Sequence, residues 1–189
     1  PVIVKRGLVV AGGWLQRGYV TSSVRALDLR TGAVVWETPV VNSGRVERTM
    51  FGELAEEPFW GAISEAGGTV HYLSQMGAIS ALDLGTGRVR WLATYDSLAV
   101  PATQGRLPLE REASWGPNPL FLLGNALVAA PRDSAYLYAF DAGLGPRGAS
   151  DAGRVLWTFP NAPGRSGIGA ELRDVVGYDR GRLWLSGPN

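Results

Sequence analysis

Short runs of alternating apolar and polar residues, separated by glycine-containing turns, fill most of the sequence and predict β-strands. Residues 24–27 form one such run and residues 34–37 the next, with Asp28 and Gly32 in the turn between them. A period of two places successive side chains on opposite faces of a strand. Helical periodicity is absent over any useful length of the sequence. The chain is therefore predicted to be all-β.

An eleven-residue pattern, A-L-D-L-x-T-G-x-V-x-W, occurs twice without gaps, at residues 26–36 and 81–91. A third copy opens at residues 139–141 and closes at 153–157, with a polar, glycine-rich loop inserted between the two parts. The repeated residues are Ala26, Asp28, Thr31, Gly32 and Trp36, then Ala81, Asp83, Thr86, Gly87 and Trp91, and in the third copy Ala139, Asp141, Gly153 and Trp157.

Each repeated residue has a structural reason to recur. The carboxylate of Asp28 is placed to accept hydrogen bonds from backbone N–H groups two or three residues later, and Thr31 adds a side-chain hydrogen bond. Gly32 supplies the positive φ that the hairpin turn requires. Trp36 is expected to pack against the neighbouring repeat and to find a partner for its N–H. We therefore interpret the repeat as structural and not catalytic.

Two further apolar runs precede each copy of the pattern, so each unit contains four short strands in about 55 to 60 residues. Four strands at that period are typical of a β-propeller blade. We predict parts of a single propeller domain, with blades at about residues 1–42, 61–96 and 119–161 and the first two strands of a fourth at 172–189. Such an array cannot close a ring, so we expect other sequence, a partner chain or oligomerisation to complete it.

The repeat pattern, together with residues 138–141 of the third copy, resembles that of the PQQ-like (quinoprotein-like) propeller family. In that family the alanine, aspartate, Thr-Gly and tryptophan form a tryptophan docking motif between consecutive blades, and the resemblance implies this role here. The family includes dehydrogenases that use pyrroloquinoline quinone (PQQ). It also includes cofactor-free propellers, among them the outer-membrane-protein assembly lipoprotein of the Bam machinery, which the chain resembles.

The amino-acid composition excludes several classes of function. Eighteen basic and seventeen acidic residues give a net charge of +1, and the arginines are scattered. Nucleic-acid binding needs clustered positive charge, so we expect none. The chain has no cysteine, which excludes disulfides and thiolate metal sites. Its longest apolar runs are too short to span a membrane. The family resemblance implies a periplasmic or otherwise extracytoplasmic location.

Candidate binding residues lie outside the repeat. His71, the single histidine, is interpreted as a core or surface residue, because a zinc site would then need three carboxylates. Residues 42–60 and 96–119 are long connections, and long loops often carry function. The residues of a possible binding rim are Glu57, Trp60, Glu112, Trp115, Asn118, Arg165 and Glu171. The alternatives are a solvated rim, or tryptophans that fill gaps between blades.

We assign no catalytic residue, cofactor or metal. A PQQ dehydrogenase holds Ca²⁺ with carboxylate and amide oxygens beside the quinone, and no such cluster stands out in the sequence. The leading hypothesis is a non-catalytic PQQ-like module that serves as a protein-binding scaffold. The alternatives are a fragment of a PQQ-dependent dehydrogenase, with PQQ and Ca²⁺, and an extracytoplasmic propeller that senses a ligand.

Overall fold

The computed structural model describes residues 1–17, 19–43, 46–49, 52–55, 59–97, 115–145, 150–161 and 172–187. Within these ranges the chain forms sixteen β-strands and no α-helix, which confirms the all-β prediction. The strands build three four-stranded antiparallel sheets and two two-stranded ones.

Each four-stranded sheet is a meander in which every strand pairs with the next along the chain. The first blade contains β1 (Val2–Lys5), β2 (Leu8–Arg17), β3 (Tyr19–Asp28) and β4 (Val34–Ser43). The second contains β7 (Ala62–Ala66), β8 (Thr69–Leu73), β9 (Ala78–Asp83) and β10 (Val89–Thr94). The third contains β11 (Phe121–Leu123), β12 (Ala126–Ala129), β13 (Tyr136–Asp141) and β14 (Val155–Pro160). The fourth, partial blade contains β15 (Asp174–Asp179) and β16 (Arg182–Ser186).

These sheets confirm the predicted fold: four-stranded antiparallel propeller blades, about three complete and a fourth with two strands. The described sheets do not close into a ring. One element was not expected. The connection at residues 42–60 contains a further hairpin, β5 (Val46–Thr49) paired with β6 (Gly52–Ala55). Strands of four residues are too short to give a readable alternation, so the sequence pattern predicts a loop at this position.

The blades pack face to face, and a separate apolar cluster fills each of the three junctions. Val10, Ala26 and Trp36 of the first blade meet Val70 and Leu82 of the second. The other two clusters fill the junctions between the second and third blades and between the third and fourth. Sheet packing of this kind buries alternate residues of each strand.

Burial along a strand depends on the position of its blade in the array. In β3 of the first blade, buried and less buried residues alternate, because only one face meets a neighbouring sheet. In β8 of the second blade all five residues are buried, because the second blade lies between two others. The outer face of the first blade therefore exposes Val2, Val4 and Val34. The fourth blade similarly exposes Val176 and Trp184.

Candidate functional site

The repeated aspartate organises the turn that follows it. We call the segment from this aspartate to the repeated glycine the glycine turn, at residues 28–32, 83–87 and 141–153. In the first turn, Oδ1 of Asp28 accepts hydrogen bonds from the backbone N–H of Arg30 (3.1 Å) and Thr31 (2.7 Å) and from the Thr31 hydroxyl (2.7 Å). The hydrogen bond from the Thr31 hydroxyl contributes most to lowering the pKa of the Asp28 carboxyl, and the two N–H groups lower it further.

Asp83 makes the same contacts in the second glycine turn. Its Oδ1 accepts from the N–H of Gly85 and from both the N–H and the hydroxyl of Thr86, at 2.9 to 3.1 Å. The guanidinium of Arg90 adds a 2.7 Å bond to Oδ2. Arg90 and the Thr86 hydroxyl lower the pKa of Asp83 to about 2. These carboxylates are therefore already engaged in holding the turns.

The third glycine turn keeps the hydrogen bond that closes it, although a loop is inserted between its two ends. The N–H of Gly153 donates to the carbonyl of Asp141 at 2.8 Å, as Gly32 and Gly87 do to their own aspartates. The Asp141 carboxylate accepts from the N–H of Gly143 and from the side-chain amide of Asn125, both at 2.8 Å. Asn125 thus contributes the side-chain bond that a threonine gives in the other two turns.

Trp36 of the first blade lies against the glycine turn of the second. Its Nε1–H donates to the carbonyl of Leu84 at 3.1 Å, and its indole covers Gly87. A Cβ on Gly87 would lie 2.5 Å from Cε3 of Trp36, and this glycine also has a φ of +70°. Gly87 is therefore required twice, by the turn conformation and by the indole above it.

Trp91 of the second blade repeats this contact on the third. Its Nε1–H donates to the carbonyl of Ala142 at 3.3 Å, and a Cβ on Gly153 would lie 2.9 Å from Cε3 of the indole. In both junctions the accepting carbonyl belongs to the residue after the aspartate. The indoles of Trp36 and Trp91 are only 9% and 8% exposed.

In the described chain, the first and third blades each contain one of the two groups of this contact without its partner. Gly32 has the matching φ of +69°, but no described atom comes within 4 Å of its Cβ position. Trp157 of the third blade has the matching tryptophan position but is 41% exposed. The reason is topological, since the fourth blade has only β15 and β16 in the described chain and a glycine turn joins a third strand to a fourth.

The residues of the possible binding rim divide into three groups. Trp60 is 70% exposed, whereas Trp115 is fully buried in the cluster between the third and fourth blades. Asn118 is also buried and joins those blades, because its amide donates to the carbonyl of Arg173 (3.0 Å) and accepts from the N–H of Val175 (2.7 Å). Glu57, Glu112, Arg165 and Glu171 lie outside the described residues.

His71 is completely buried between the second and third blades. Its ring centroid lies 6.1 Å from that of Trp91, and neither ring nitrogen has a well-formed hydrogen bond in the described structure. Burial is the largest cause that lowers the pKa of the His71 imidazole, to about 4. His71 pairs with Ala81 across the sheet, and the residues paired with the equivalent alanines of the first and third blades are Val10 and Val128. A histidine thus fills a position that the other blades give to valine.

Asp133 is a buried residue that sequence analysis missed. Its carboxylate accepts from the N–H of Gly77 (2.9 Å) and the hydroxyl of Tyr95 (2.8 Å), so it joins a turn of the third blade to the second. Close by, the side chain of Gln75 accepts from the N–H of Arg132 at 2.7 Å. Sequence spacing offers no signal for these contacts, which connect residues 38, 56 and 57 positions apart.

Within the described residues, no group of three or more histidine, aspartate or glutamate side chains is arranged to hold a metal ion. In the same ranges, no helix has the length and apolar character needed to cross a membrane.

Stacked four-stranded antiparallel blades, joined by a tryptophan on one blade and a glycine turn on the next, define a β-propeller built from PQQ-like repeats. The sequence model of the family described as outer membrane protein assembly factor BamB matches residues 2–147. The chain belongs to that family, which confirms the predicted resemblance. None of the curated proteins matches the sequence.

Several solved structures resemble the chain at low sequence identity. BamB from Moraxella catarrhalis is 17% identical, with a TM-score of 0.46, and the match covers 93% of this chain and 43% of that one. A quinohemoprotein alcohol dehydrogenase from Pseudomonas putida HK5 is also 17% identical, at a TM-score of 0.46, over 86% of this chain and 20% of that one. The computationally designed Ika4 protein is 14% identical, with a TM-score of 0.44, and the match covers 93% of this chain and 88% of that one. The chain thus spans less than half the length of the natural proteins named here.

Proposed function

We propose that the chain is a non-catalytic module of a PQQ-like propeller and acts as a protein-binding scaffold. The observation that carries this proposal is the contact between blades, in which the repeated tryptophan of one blade binds the glycine turn of the next. Trp36 donates to the carbonyl of Leu84, and Trp91 donates to that of Ala142. The repeated residues thus bind protein and act as a docking motif between blades.

The chemistry of the end faces supports binding to protein. Val2, Val4 and Val34 are exposed on one end face, and Val176 and Trp184 on the other. Exposed apolar surface of this kind is typical of protein interaction sites. We propose that further blades, or another protein, cover these faces, as neighbouring blades cover the corresponding faces inside the array.

The side chains available for catalysis favour a non-catalytic role. Asp28 and Asp83 are engaged in turn hydrogen bonds that lower their pKa values, which makes them poor general bases at neutral pH. His71 is buried away from any soluble substrate.

Three amide side chains of the described chain also do not fit a quinone site with Ca²⁺. Asn118, Asn125 and Asn161 all use their amides to bind protein atoms. They are therefore not free to converge on a cation, which needs several oxygen ligands.

Reconstitution with PQQ and Ca²⁺ distinguishes the scaffold function from a dehydrogenase function. The purified chain is incubated with PQQ and Ca²⁺, freed of unbound quinone, and assayed with alcohols or sugars and an artificial electron acceptor. We expect no retained quinone absorbance and no dye reduction. Retained quinone together with substrate-dependent dye reduction would contradict the non-catalytic proposal.

Photo-crosslinking tests the binding role. A photoreactive amino acid is placed at Val34 or at Trp184, on the two end faces, and at Leu92 as an exposed control on the outer strand of the second blade. In the native host we expect discrete protein adducts from Val34 and Trp184 and none from Leu92. Adducts that appear equally at all three positions, or at none, would refute the scaffold function.

We also propose that the chain works outside the cytoplasm. The support is the description of its family, which names assembly of outer membrane proteins. Fractionation of host cells should place the protein in the periplasmic or membrane fraction, and recovery with cytoplasmic markers would overturn this location.

A further inference from the structure

Arg132 lies in the turn between β12 and β13, where the third blade meets the second. Its guanidinium carbon, Cζ, is 4.1 Å from the centroid of the Phe59 ring. Phe59 belongs to the segment that leads into β7 of the second blade, so this contact crosses the junction. The face of an aromatic ring attracts a cation, and the contact limits the movement of the guanidinium.

Four hydrogen bonds join the turn that carries Arg132 to residues 75–96 of the second blade. They run from the Arg132 N–H to Gln75 Oε1 (2.7 Å), from the Gly77 N–H to Asp133 Oδ2 (2.9 Å), from the Tyr95 hydroxyl to Asp133 Oδ1 (2.8 Å), and from the Ser134 hydroxyl to the Asp96 carbonyl (2.6 Å). Gln75 has a φ of +59°, which is uncommon for a residue other than glycine, and such strain is concentrated at functional sites. The turn is therefore fixed in advance, and Arg132 loses little conformational freedom when it binds a ligand.

The guanidinium of Arg132 has no counter-ion among the described residues. Its Nε is enclosed by protein and makes no hydrogen bond there, and no carboxylate of the described chain forms an ion pair with it. Burial lowers the pKa of Arg132, whereas a nearby carboxylate would raise it. The adjacent carboxylate, that of Asp133, is engaged by Gly77 and Tyr95. Arg132 is thus a positive charge that is held in place, partly removed from water and not neutralised, which is an unfavourable arrangement without an anion.

We propose that Arg132, with Phe59 against its guanidinium, anchors a site that binds the carboxylate of an aspartate or glutamate side chain on a partner protein. The terminal nitrogens of the guanidinium donate to the two carboxylate oxygens in one plane, a geometry that lysine does not provide. The Phe59 ring shields one side of the ion pair from water, which strengthens it. This inference rests on the proposed scaffold function and names the chemistry of the partner at one site.

The surroundings of Arg132 favour a protein over a small carboxylic acid. Arg132 and Phe59 are half-buried at the surface, where a small acid would bury little area and an interface would enclose the ion pair. Trp60, the next residue along the chain, is 70% exposed. Arginine and tryptophan are both enriched at protein interfaces and among the residues that dominate their affinity.

NMR titration of the purified chain tests the site. The probe is a blocked tripeptide with glutamate at its centre, and the matched control probe has glutamine there. The ¹⁵N–¹H signal of Arg132 Nε, assigned by its loss in Arg132→Lys, should shift in a saturable way with the glutamate probe and stay in place with the glutamine probe. The backbone amides of residues 132–134 report binding in the variants.

Three variants assign the binding to this arginine. Arg132→Lys keeps the charge but removes the planar pair of donors, so the affinity should fall by about tenfold or more. Phe59→Leu removes the ring but keeps an apolar side chain, and should weaken binding by roughly two- to fivefold. Arg30→Gln removes an exposed arginine from the first glycine turn, at the other end of the strands, and should leave the affinity unchanged. Circular dichroism and thermal unfolding establish that the variants remain folded.

Three results would overturn the carboxylate site: no saturable shift, equal binding of the two probes, or unchanged affinity in Arg132→Lys. Inorganic phosphate should bind no more tightly than the glutamate probe, and tighter binding would assign the site to a phosphoryl ligand and overturn the acidic partner. If the site fails while adducts from the end faces persist, the site is wrong and the scaffold function stands. If the glutamate probe binds as expected but the end faces give no adducts in cells, the carboxylate site stands and the scaffold function is wrong.

Discussion

Acidification should weaken the junction between the second and third blades through His71. The imidazole is fully buried, and burial lowers its pKa from 6.5 to about 4. In the unfolded chain the same group regains the higher value. Between pH 6.5 and 4 the unfolded state therefore binds more protons than the folded state, and the free energy of unfolding falls as the pH falls.

The magnitude follows from the difference between the two pKa values. At roughly 1.4 kcal/mol per pH unit, the stability lost between pH 6.5 and 4 is about 3 kcal/mol. The loss stops below pH 4, where the folded state also takes up the proton. The Asp28 and Asp83 carboxyls, whose pKa values are lowered from 3.8, weaken the fold mainly at more acid pH. The pKa of Glu65 is lowered from 4.5, so this carboxyl adds to the loss at the acid end of the window, and the His71 variants separate its contribution from that of the imidazole.

Urea unfolding at several pH values between 7 and 4 measures the effect, with His71→Val and His71→Gln as matched variants. Both variants should lose the part of the pH dependence that belongs to the imidazole. His71→Val should also be more stable than the wild type at pH 7, by roughly 1 kcal/mol, because a buried polar group without a well-formed hydrogen bond is removed. Valine already fills the equivalent positions Val10 and Val128.

The slope of the unfolding free energy against pH is compared between the wild type and the two variants. If the wild type and both variants lose stability in parallel between pH 6.5 and 4, His71 is not the source of the acid sensitivity. A wild-type loss well under 1 kcal/mol over that interval would likewise show that the imidazole is not held in an apolar environment.

Three further substitutions test the junctions by equilibrium unfolding. Gly87→Val should cost about 2 kcal/mol more than Gly32→Val, because both add strain at positive φ but only Gly87 lies under an indole; equal costs would refute the contact. Trp91→Ala should cost about 3 to 5 kcal/mol and Trp157→Ala less than half as much, since the second indole is partly exposed; similar losses would contradict that difference. Asp133→Ala should cost roughly 1 to 3 kcal/mol, because it removes the acceptor of two hydrogen bonds, of which the one from Tyr95 is buried; a neutral result would show that water replaces the carboxylate.

The blade architecture was predictable because its determinants are local and repeated. Asp28, Thr31 and Gly32 form a turn within five residues, and the hydrogen bonds predicted for them are present in the structure. A partner for the tryptophan N–H was also expected. That partner, the carbonyl of Leu84, lies in another blade and could not be identified without the fold.

The rim residues illustrate what spacing along the chain does not determine. Trp60 and Trp115 each precede a glycine and lie one repeat apart, so they appear equivalent in the sequence. In the structure, Trp60 comes immediately before β7, whereas Trp115 lies several residues before β11 and fills the junction with the fourth blade. Insertions and deletions between strands shift such positions in space, and a constant offset along the chain does not reveal the shift.

Turn chemistry and strand periodicity depend on neighbours in the chain, and for this reason the repeat, its hairpins and its propeller fold are readable from the residues alone. The stacking of blades brings together residues about fifty positions apart, and it determines which equivalent residues are covered. Only this packing buried His71 and Asp133 and covered Trp36 and Trp91. Burial depends on which surfaces meet in space, and a repeat that is nearly identical from blade to blade does not encode it.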